Sequence, residues 1–255
     1  MASTEEEAFS LFSSLRHDRL LLQSPENTTA SGSTTPCPFY LLEYHRDRMV
    51  RAARHFEWPE AITASLEDLN GFRRACEEAV GTQTCPLRVR IVLSPEGKLS
   101  ATAGPIPPVP VTTLFPSALP NPSSLSSPPL WKIHIDTIPT PASPFTSHKT
   151  TFRDHYDAAR LRTGITSLTD TTEVVLWNED GVMMEGSMTS VYFWRDGGWV
   201  TPSLESGGNN GTTRRWLLEK GMVVEAVVRK ESIEAGEVML ISNGVRGIWV
   251  GIVVG

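Results

Sequence analysis

The sequence contains few cysteines and no hydrophobic run long enough to cross a membrane. Its three cysteines, Cys37, Cys76 and Cys85, are odd in number and show no C-x-x-C spacing, so they indicate neither a disulfide framework nor a zinc site. The longest apolar runs, such as the terminal 248–255, fall far short of the roughly 20 residues that span a bilayer. We therefore expect a soluble protein with reduced thiols, no membrane partner and no bound metal.

Positive charge is also scarce, and it does not gather in one stripe. The formal net charge is −6 at pH 7, which offers no broad attraction for nucleic acid. The chain starts with Glu5, Glu6 and Glu7 and with no lysine or arginine around them, unlike a basic organelle transit peptide. The composition predicts an untargeted cytoplasmic protein with no nucleic-acid partner.

Proline is unevenly distributed and divides the chain. Twelve of the nineteen prolines lie between Pro105 and Pro144, in a stretch rich in Ser and Thr that is typical of a loop. The predicted parts follow in order: a first α+β domain at 1–138 with a Pro-rich loop at 105–129, an interdomain linker at 139–148, and a second α+β domain at 149–255.

Hydrophobic periodicity and turn residues predict the helices and strands of each half. In the first half, the predicted strands are 9–16, 39–44, 87–94 and 131–138, and the predicted helices are 45–56 and 65–80. In the second half, the predicted helices are 151–162 and 212–221, and the predicted strands are 173–177, 182–187, 191–202, 223–228 and 238–244. This mixture predicts an α+β architecture.

Four features could carry chemistry, although each also has an ordinary structural interpretation. Lys149 opens the second half and Glu185 ends an apolar strand, but surface lysines and strand-end acids are common. The loop 206–213, S-G-G-N-N-G-T-T, precedes a helix whose free amides would suit a phosphate, or it is a plain turn with a helix cap. Arg48 lies on a helix and could equally belong to a solvated basic face.

Several familiar catalytic motifs are missing from the sequence. The glycine-rich loop lacks the G-K-[ST] ending of a nucleoside-triphosphate site, and the H-R-D at 45–47 lacks the other kinase motifs. There is no G-x-S-x-G elbow, and the six histidines show no H-E-x-x-H spacing. A serine triad built without a motif stays open from the residues alone.

The order of these features along the chain resembles the class IV aminotransferases. Three stretches carry the resemblance: LLEYHRDRM, HKTTFRDHYDAAR, and the long LWNEDGVMMEGSMTSVYFWRDGGWVTPSLESGGNNGTTRRWLLEKG. Within this family the sequence is most similar to the aminodeoxychorismate lyases, particularly the fungal ones. The resemblance implies a two-domain fold type IV enzyme, like the D-amino acid and branched-chain aminotransferases. It also implies pyridoxal 5'-phosphate (PLP) in the interdomain cleft, and a homodimer.

The resemblance assigns roles to residues of this sequence. Lys149 would hold PLP as a Schiff base and then act as general base, while Glu185 would pair with the pyridine nitrogen. The phosphate would be bound by Arg48 and by the helix start, and a third segment would lie beside it; these residues are Arg48, Thr212, Thr213, Asn243 and Gly244. Arg153 and Arg246 are the candidate substrate-binding residues.

The family resemblance leaves three functions open. The first is a lyase that converts 4-amino-4-deoxychorismate to 4-aminobenzoate and pyruvate in folate biosynthesis. The second is a transaminase that acts on a small-molecule amine such as a D-amino acid, a branched-chain amino acid or an (R)-amine. The third is a non-catalytic relative that serves as a binding module. The presence of both Lys149 and Glu185 favours an enzyme, and the segment KTTFR with Arg153 favours the lyase.

Overall fold

Two β-sheets with helices packed on them make up the computed structural model, which describes residues 9–125, 130–167 and 169–255. The acidic residues 5–7 and the end of the predicted Pro-rich loop, 126–129, lie outside the described residues. The strands are β1 (Leu11–His17), β2 (Leu87–Leu93), β3 (Leu99–Pro105), β4 (Trp131–Ile135), β5 (Thr172–Trp177), β6 (Met183–Gly186), β7 (Ser190–Arg195), β8 (Gly198–Pro202), β9 (Val224–Ala226), β10 (Val238–Asn243) and β11 (Gly247–Val253). The helices are α1 (Pro25–Ala30), α2 (Leu42–His55), α3 (Glu60–Glu67), α4 (Leu69–Val80), α5 (Val111–Leu114), α6 (Pro144–Ser147), α7 (Asp154–Arg162) and α8 (Thr212–Glu219).

The smaller sheet is antiparallel, with β2 between β1 and β3. Its central strand alternates strictly, because successive side chains of a strand point to opposite faces. The apolar residues Leu87, Val89, Ile91 and Leu93 are buried in a core beneath α2 and α4. Arg88 and Arg90 point to the other face. One side of this sheet is therefore core, and the opposite side carries positive charge.

The larger sheet has eight strands in the order β6-β5-β4-β11-β10-β7-β8-β9. Strand β4 runs parallel to both of its neighbours, β11 and β5. Alternation predicted this strand correctly, and the structure pairs it with strands of the second half of the chain. Ile133 explains the placement, since its buried side chain packs in one cluster with Met239 and Val253. An alternating pattern identifies a strand without identifying its sheet.

The predicted strand at 39–44 is wrong. Only a single β-bridge, between His17 and Phe39, connects this segment to a strand. Leu41 has a left-handed backbone with φ of 52°, and α2 begins at the next residue. The apolar run was misleading because Leu42 and Met49 are spaced by two helical turns and pack in the same core.

Two predicted helices have different bounds in the structure. The helix predicted at 65–80 is divided at Asp68, which ends α3 and whose side chain accepts a hydrogen bond from Asn70 N to begin α4. The helix predicted from residue 151 begins at Asp154 instead, because Thr150 bridges to Leu11 of β1. Within the described ranges, no helix is both long and apolar enough to cross a membrane.

Candidate active site

A cavity of about 430 Å³ lies between the two sheets. Its wall contains side chains from β1 and β2 on one side and from the second half of the chain on the other. All nine site residues predicted from the sequence line it: Arg48, Lys149, Arg153, Glu185, Thr212, Thr213, Asn243, Gly244 and Arg246. Residues that are up to 198 positions apart in the sequence are therefore brought to one site.

Lys149 is positioned by the pairing of its backbone with β1. The Lys149 carbonyl accepts a hydrogen bond from Phe12 N at 3.2 Å, and Thr151 N donates to Ser10 O at 2.9 Å. This pairing directs the side chain into the cavity, where Nζ lies 5.0 Å from the centroid of the Phe12 ring. Burial, and then the nearby Arg153 and Arg48, hold the pKa of the amine well below its usual range. A lowered pKa favours the neutral form of the amine, which can act as a nucleophile or a base.

Glu185 faces the cavity from the end of β6 and is hydrogen-bonded to Tyr156 of α7. The phenol of Tyr156 donates a short hydrogen bond to Glu185 Oε1. Burial raises the pKa of Glu185 to about 7, while the bond from Tyr156 and the charge of Lys149 act in the opposite direction. Tyr156 was missed in the sequence, where its partner lies 29 residues away and no local pattern connects them.

The turn after Glu185 is fixed by a second buried acid, Glu173 of β5. Its carboxylate accepts hydrogen bonds from Ser187 Oγ at 2.6 Å, Met188 N at 3.2 Å and Thr189 Oγ1 at 3.0 Å. Gly186 is required in this turn, because a Cβ there would lie 2.2 Å from Thr189 Oγ1. Glu173 is fully buried, and its bonds hold this wall of the cavity in one conformation.

The same turn anchors two arginines, Arg153 at the N-terminus of α7 and Arg160 within the helix. Arg153 donates to the Ser187 carbonyl at 2.6 Å, and Arg160 donates to Ser187 Oγ at 3.2 Å. The guanidinium of Arg153 also lies 4.5 Å from the centroid of the Tyr156 ring. Arg153 is therefore held by contacts to Ser187 and to Tyr156. Arg160 was not among the residues predicted from the sequence.

One end of the cavity forms a small cup at the start of α8. Thr212 and Thr213 are buried there, and the first backbone amides of a helix have no partner within that helix. A Cβ on Gly211 would lie 2.3 Å from Ser190 Oγ, and a Cβ on Gly244 would lie 2.4 Å from His45 Cε1. Glycine at these two positions allows the backbone to approach closely.

Arg48 contributes the fixed charge of this cup. Its Nη2 donates to Ser13 Oγ at 2.5 Å, whereas its Nε is buried without a hydrogen-bond partner among the described residues. Burial lowers the pKa of Arg48 to about 10, so the side chain still carries its charge at neutral pH. A buried cation with an unused donor, beside a helix start and two close-approach glycines, fits a phosphate group.

The residues at the β10–β11 turn line the cavity in different ways. The side-chain oxygen of Asn243 accepts from Val245 N at 3.0 Å and from Arg246 N at 2.9 Å, so it shapes the turn. The Arg246 guanidinium lies 4.7 Å from the centroid of the Trp131 ring and 5.9 Å from that of Trp249. The turn thus presents a cation that is held against two indole rings.

The cavity is strongly cationic in the part of the chain that the structure describes. Two acids line it, Asp157 and Glu185. Seven basic side chains line it: Arg48, Arg88, Arg90, Lys149, Arg153, Arg160 and Arg246. Arg88 and Arg90 were missed in the sequence, although the alternation of L-R-V-R-I-V-L places both arginines on the face opposite the core. Such an excess of positive charge favours a ligand with several negative charges. No group of acidic, histidine or cysteine side chains among the described residues could hold a metal ion.

Known proteins resemble this chain in sequence and in fold. The aminodeoxychorismate lyase of Saccharomyces cerevisiae is 29% identical over 249 residues, and the match covers 82% of this chain and 66% of the relative. This chain therefore spans just under two thirds of that yeast protein.

The solved structures show the same fold at lower identity. A Mesorhizobium loti protein with a proposed amino-acid aminotransferase activity has a TM-score of 0.71 at 22% identity, covering 96% of this chain and all 100% of that one. A hypothetical aminotransferase from Mycobacterium tuberculosis, solved with alpha-ketoglutarate and PMP bound, has a TM-score of 0.65 at 19% identity, covering 96% and 81%. The sequence profile of the family described as amino-transferase class IV matches residues 32–250. The chain therefore belongs to the class IV aminotransferases, PLP-dependent enzymes of fold type IV.

Proposed function

We propose that this enzyme is a PLP-dependent lyase that converts 4-amino-4-deoxychorismate to 4-aminobenzoate and pyruvate. The observation that carries the proposal is the excess of arginine in the cavity beyond the one needed for a phosphate. Arg88, Arg90, Arg153, Arg160 and Arg246 remain for the substrate, which has two carboxylates. The name of the yeast relative supports the same reaction.

The residues around the cavity suit PLP at three points. The amine of Lys149 would hold the aldehyde, the carboxylate of Glu185 would accept a hydrogen bond from the pyridine nitrogen, and the cup at Arg48 would bind the phosphate. When bound, PLP supplies a cationic ring that accepts the electron pair released when the substrate loses a proton. Tyr156 would keep the Glu185 carboxylate directed at the ring nitrogen, because its phenol donates to Glu185 Oε1.

Lys149 would also act as the base of the reaction. Burial and the nearby Arg153 and Arg48 lower the pKa of the amine, which favours the neutral form that can accept a proton. Lys149 would take the proton from the ring carbon that bears the amine. The ether bond to the neighbouring ring carbon then breaks, and its oxygen leaves with the three-carbon unit, which becomes pyruvate after it gains a proton. The ring becomes aromatic, and no water is consumed.

The arginines would orient the substrate for this elimination. An arginine can donate two parallel hydrogen bonds to a carboxylate, which fixes direction as well as attraction. Arg246 lies beside Trp131 and Trp249, whose rings offer an apolar surface to the substrate ring. Arg88 and Arg90 lie across the cavity on β2 and would bind the carboxylate at the opposite end of the substrate.

The proposal is tested by supplying two kinds of substrate to purified protein with PLP. One reaction contains 4-amino-4-deoxychorismate, and the other contains D-alanine or an (R)-amine with a keto-acid acceptor. We expect 4-aminobenzoate and pyruvate in equal amounts, at a rate far above any amine exchange. Lys149→Ala is the matched control and should abolish both reactions. Rapid amine exchange without an aromatic product would contradict the lyase and favour a transaminase, and no turnover of any substrate would favour a binding module.

A further inference from the structure

A buried histidine lies behind the phosphate cup and contacts two of the residues that form it. The side chain of His45 is fully buried on α2. Its Nδ1 is 2.7 Å from Ser13 Oγ, and its Nε2 is 3.4 Å from Thr212 Oγ1. A Cβ at Gly244 would lie 2.4 Å from the ring, so the backbone there packs directly on the imidazole. The ring therefore connects the Arg48 side of the cup with the start of α8.

The donors around Nδ1 determine where the imidazole carries its proton. Arg48 Nη2 lies 2.5 Å from Ser13 Oγ and 3.4 Å from His45 Nδ1, and a guanidinium can only donate. Ser13 Oγ accepts from Arg48, which leaves its own proton for the imidazole. Nδ1 is thus an acceptor, and in a neutral ring the proton lies on Nε2.

A doubly protonated ring is strongly disfavoured at this position. Burial, followed by the charges of Arg48 and Lys149, holds the pKa of His45 well below its usual range. The ring is neutral throughout the physiological range, so its one N–H stays on the side of Thr212.

The proton on Nε2 in turn determines the role of the Thr212 hydroxyl. Because Nε2 donates to Thr212 Oγ1, the threonine hydroxyl has its own proton available for another acceptor. Thr212 lines the cavity at the helix start, next to the first amides of α8. Its hydroxyl is therefore directed as a donor into the cup, in the same sense as the guanidinium of Arg48.

We propose that His45 is a positioning residue that orders the hydrogen bonds from Arg48 through Ser13 to Thr212, so that the Thr212 hydroxyl donates to the phosphate of the cofactor. This inference rests on the proposed use of PLP. It assigns His45 to phosphate binding and gives it no part in the chemistry at Lys149.

The test compares PLP with pyridoxal, which lacks the phosphate. Cofactor-free protein is titrated with each ligand, for the wild type and for the variants His45→Phe and His45→Gln. Phe fills a similar volume without a donor, whereas the Gln side chain can place an N–H near the position of Nε2. We expect His45→Phe to weaken PLP binding by about tenfold and to leave pyridoxal binding within about twofold. His45→Gln should restore most of the PLP affinity. Equal weakening of both ligands, or a Gln variant as poor as Phe, would overturn the proposal.

A second set of variants shows whether His45 acts through Thr212. Thr212→Val alone should weaken PLP binding to a similar extent, and adding His45→Phe to it should cause no further loss. Fully additive losses would contradict the ordered chain of hydrogen bonds. The melting temperature of each cofactor-free variant shows that it folds.

The tautomer of the native protein gives a measurement that needs no variant. The ¹⁵N spectrum of the His45 imidazole should show the proton on Nε2, and a proton on Nδ1 would overturn the proposal even if His45→Phe fails to fold. A wild type that binds PLP no better than pyridoxal would overturn the use of the phosphate cup altogether. If the wild type retains PLP and His45→Phe retains it equally well, the inference about His45 fails alone and the proposed function stands.

Discussion

At the scale of single residues, we expect replacement of Glu185 to separate cofactor binding from turnover. Glu185→Gln keeps the shape of the side chain but presents a neutral amide to a ring nitrogen that needs a negative partner. We expect PLP to bind, because its phosphate contacts are unchanged, and turnover to fall by roughly 10²–10³-fold, as for loss of one charge-stabilising group. Absorbance of the bound cofactor and steady-state product formation measure the two effects.

Glu179 provides the matched control for this substitution. It is an exposed acid in the β5–β6 connection, just before the strand that contains Glu185. Glu179→Gln should leave both cofactor content and turnover unchanged. Turnover that is unaffected by Glu185→Gln would show that another acid supports the ring nitrogen.

The raised pKa of Glu185 also predicts how stability depends on pH. Its pKa is about 7 in the folded protein and ordinarily 4.5, so the folded state binds this proton more tightly than the unfolded state does. The contribution of Glu185 to stability is therefore lost as the pH rises through this interval. Between pH 5 and pH 8, the free energy of unfolding of the cofactor-free wild type should fall relative to that of Glu185→Gln. Urea denaturation at both pH values measures it, and the opposite trend would contradict the burial of this acid.

Some site residues could be predicted from the sequence, and others could not. Lys149, Glu185 and Arg48 stand in stretches that resemble family motifs, so their order along the chain was informative. Tyr156 and Glu173 were missed, because each acts on a residue at least 14 positions away and neither belongs to a motif that we identified. Their function depends on how α7 and β5 pack against the end of β6.

At the scale of elements, the turn at 187–189 positions Arg153 and Arg160. Glu173→Gln would replace one acceptor oxygen by an amide N–H, which cannot accept from Met188 N or Thr189 Oγ1. We expect about 1–3 kcal/mol of lost stability, since a buried donor is left unpaired. We also expect a higher KM with little change in PLP affinity, because Ser187 would no longer hold Arg153. Thermal unfolding, KM and cofactor titration check the three effects, and a lowered PLP affinity with an unchanged KM would contradict this role.

The alternation of β2 gives a prediction for the substrate. Arg88→Gln and Arg90→Gln each remove a cation from the cavity face of this strand while the apolar face stays intact. Either change should raise KM for a substrate with two carboxylates by about tenfold or more, as for loss of a charge-assisted hydrogen bond, and should leave PLP affinity unchanged. Arg54→Gln, an exposed arginine of α2, is the control. Unchanged KM in both β2 variants would remove this strand from substrate binding.

The elements themselves were predicted with mixed success for physical reasons. Helix α8 is confirmed, because the glycines around 207–211 mark its start clearly, and the strand predicted at 191–202 forms the two strands β7 and β8 with D-G-G at the turn between them. The segment 39–44 was wrong because a short apolar run is compatible with a strand and with the first turn of a helix. The start of α7 was displaced because Thr150 pairs with β1, and no local pattern reports a tertiary contact of this kind.

At the scale of the whole molecule, the site exists because the two sheets face each other. The α+β architecture was predicted from the mixture of helices and strands and the fold type IV from the family resemblance, and both are confirmed by the solved structures that share the fold. The position of β4 was not predictable from periodicity, since both of its partner strands follow it by tens of residues. The division into domains at 138 and 149 stays a prediction, as does a cytoplasmic location.

The family resemblance also predicts a homodimer. Light scattering during gel filtration should give twice the chain mass of 28.1 kDa. A single chain mass at micromolar concentration would contradict the dimer, and it would leave the cavity described above intact because every residue named in it belongs to one chain.

The central claim is that Lys149 holds PLP opposite Glu185. The most direct measurement is borohydride reduction of the PLP-loaded protein, followed by digestion and mass spectrometry of the labelled peptide. The four other lysines of the chain serve as internal controls: Lys98, Lys132, Lys220 and Lys230. We expect one label, on Lys149, and none in Lys149→Ala. A label on any other lysine, or a protein that leaves the reduction unlabelled after saturation with PLP, would contradict it.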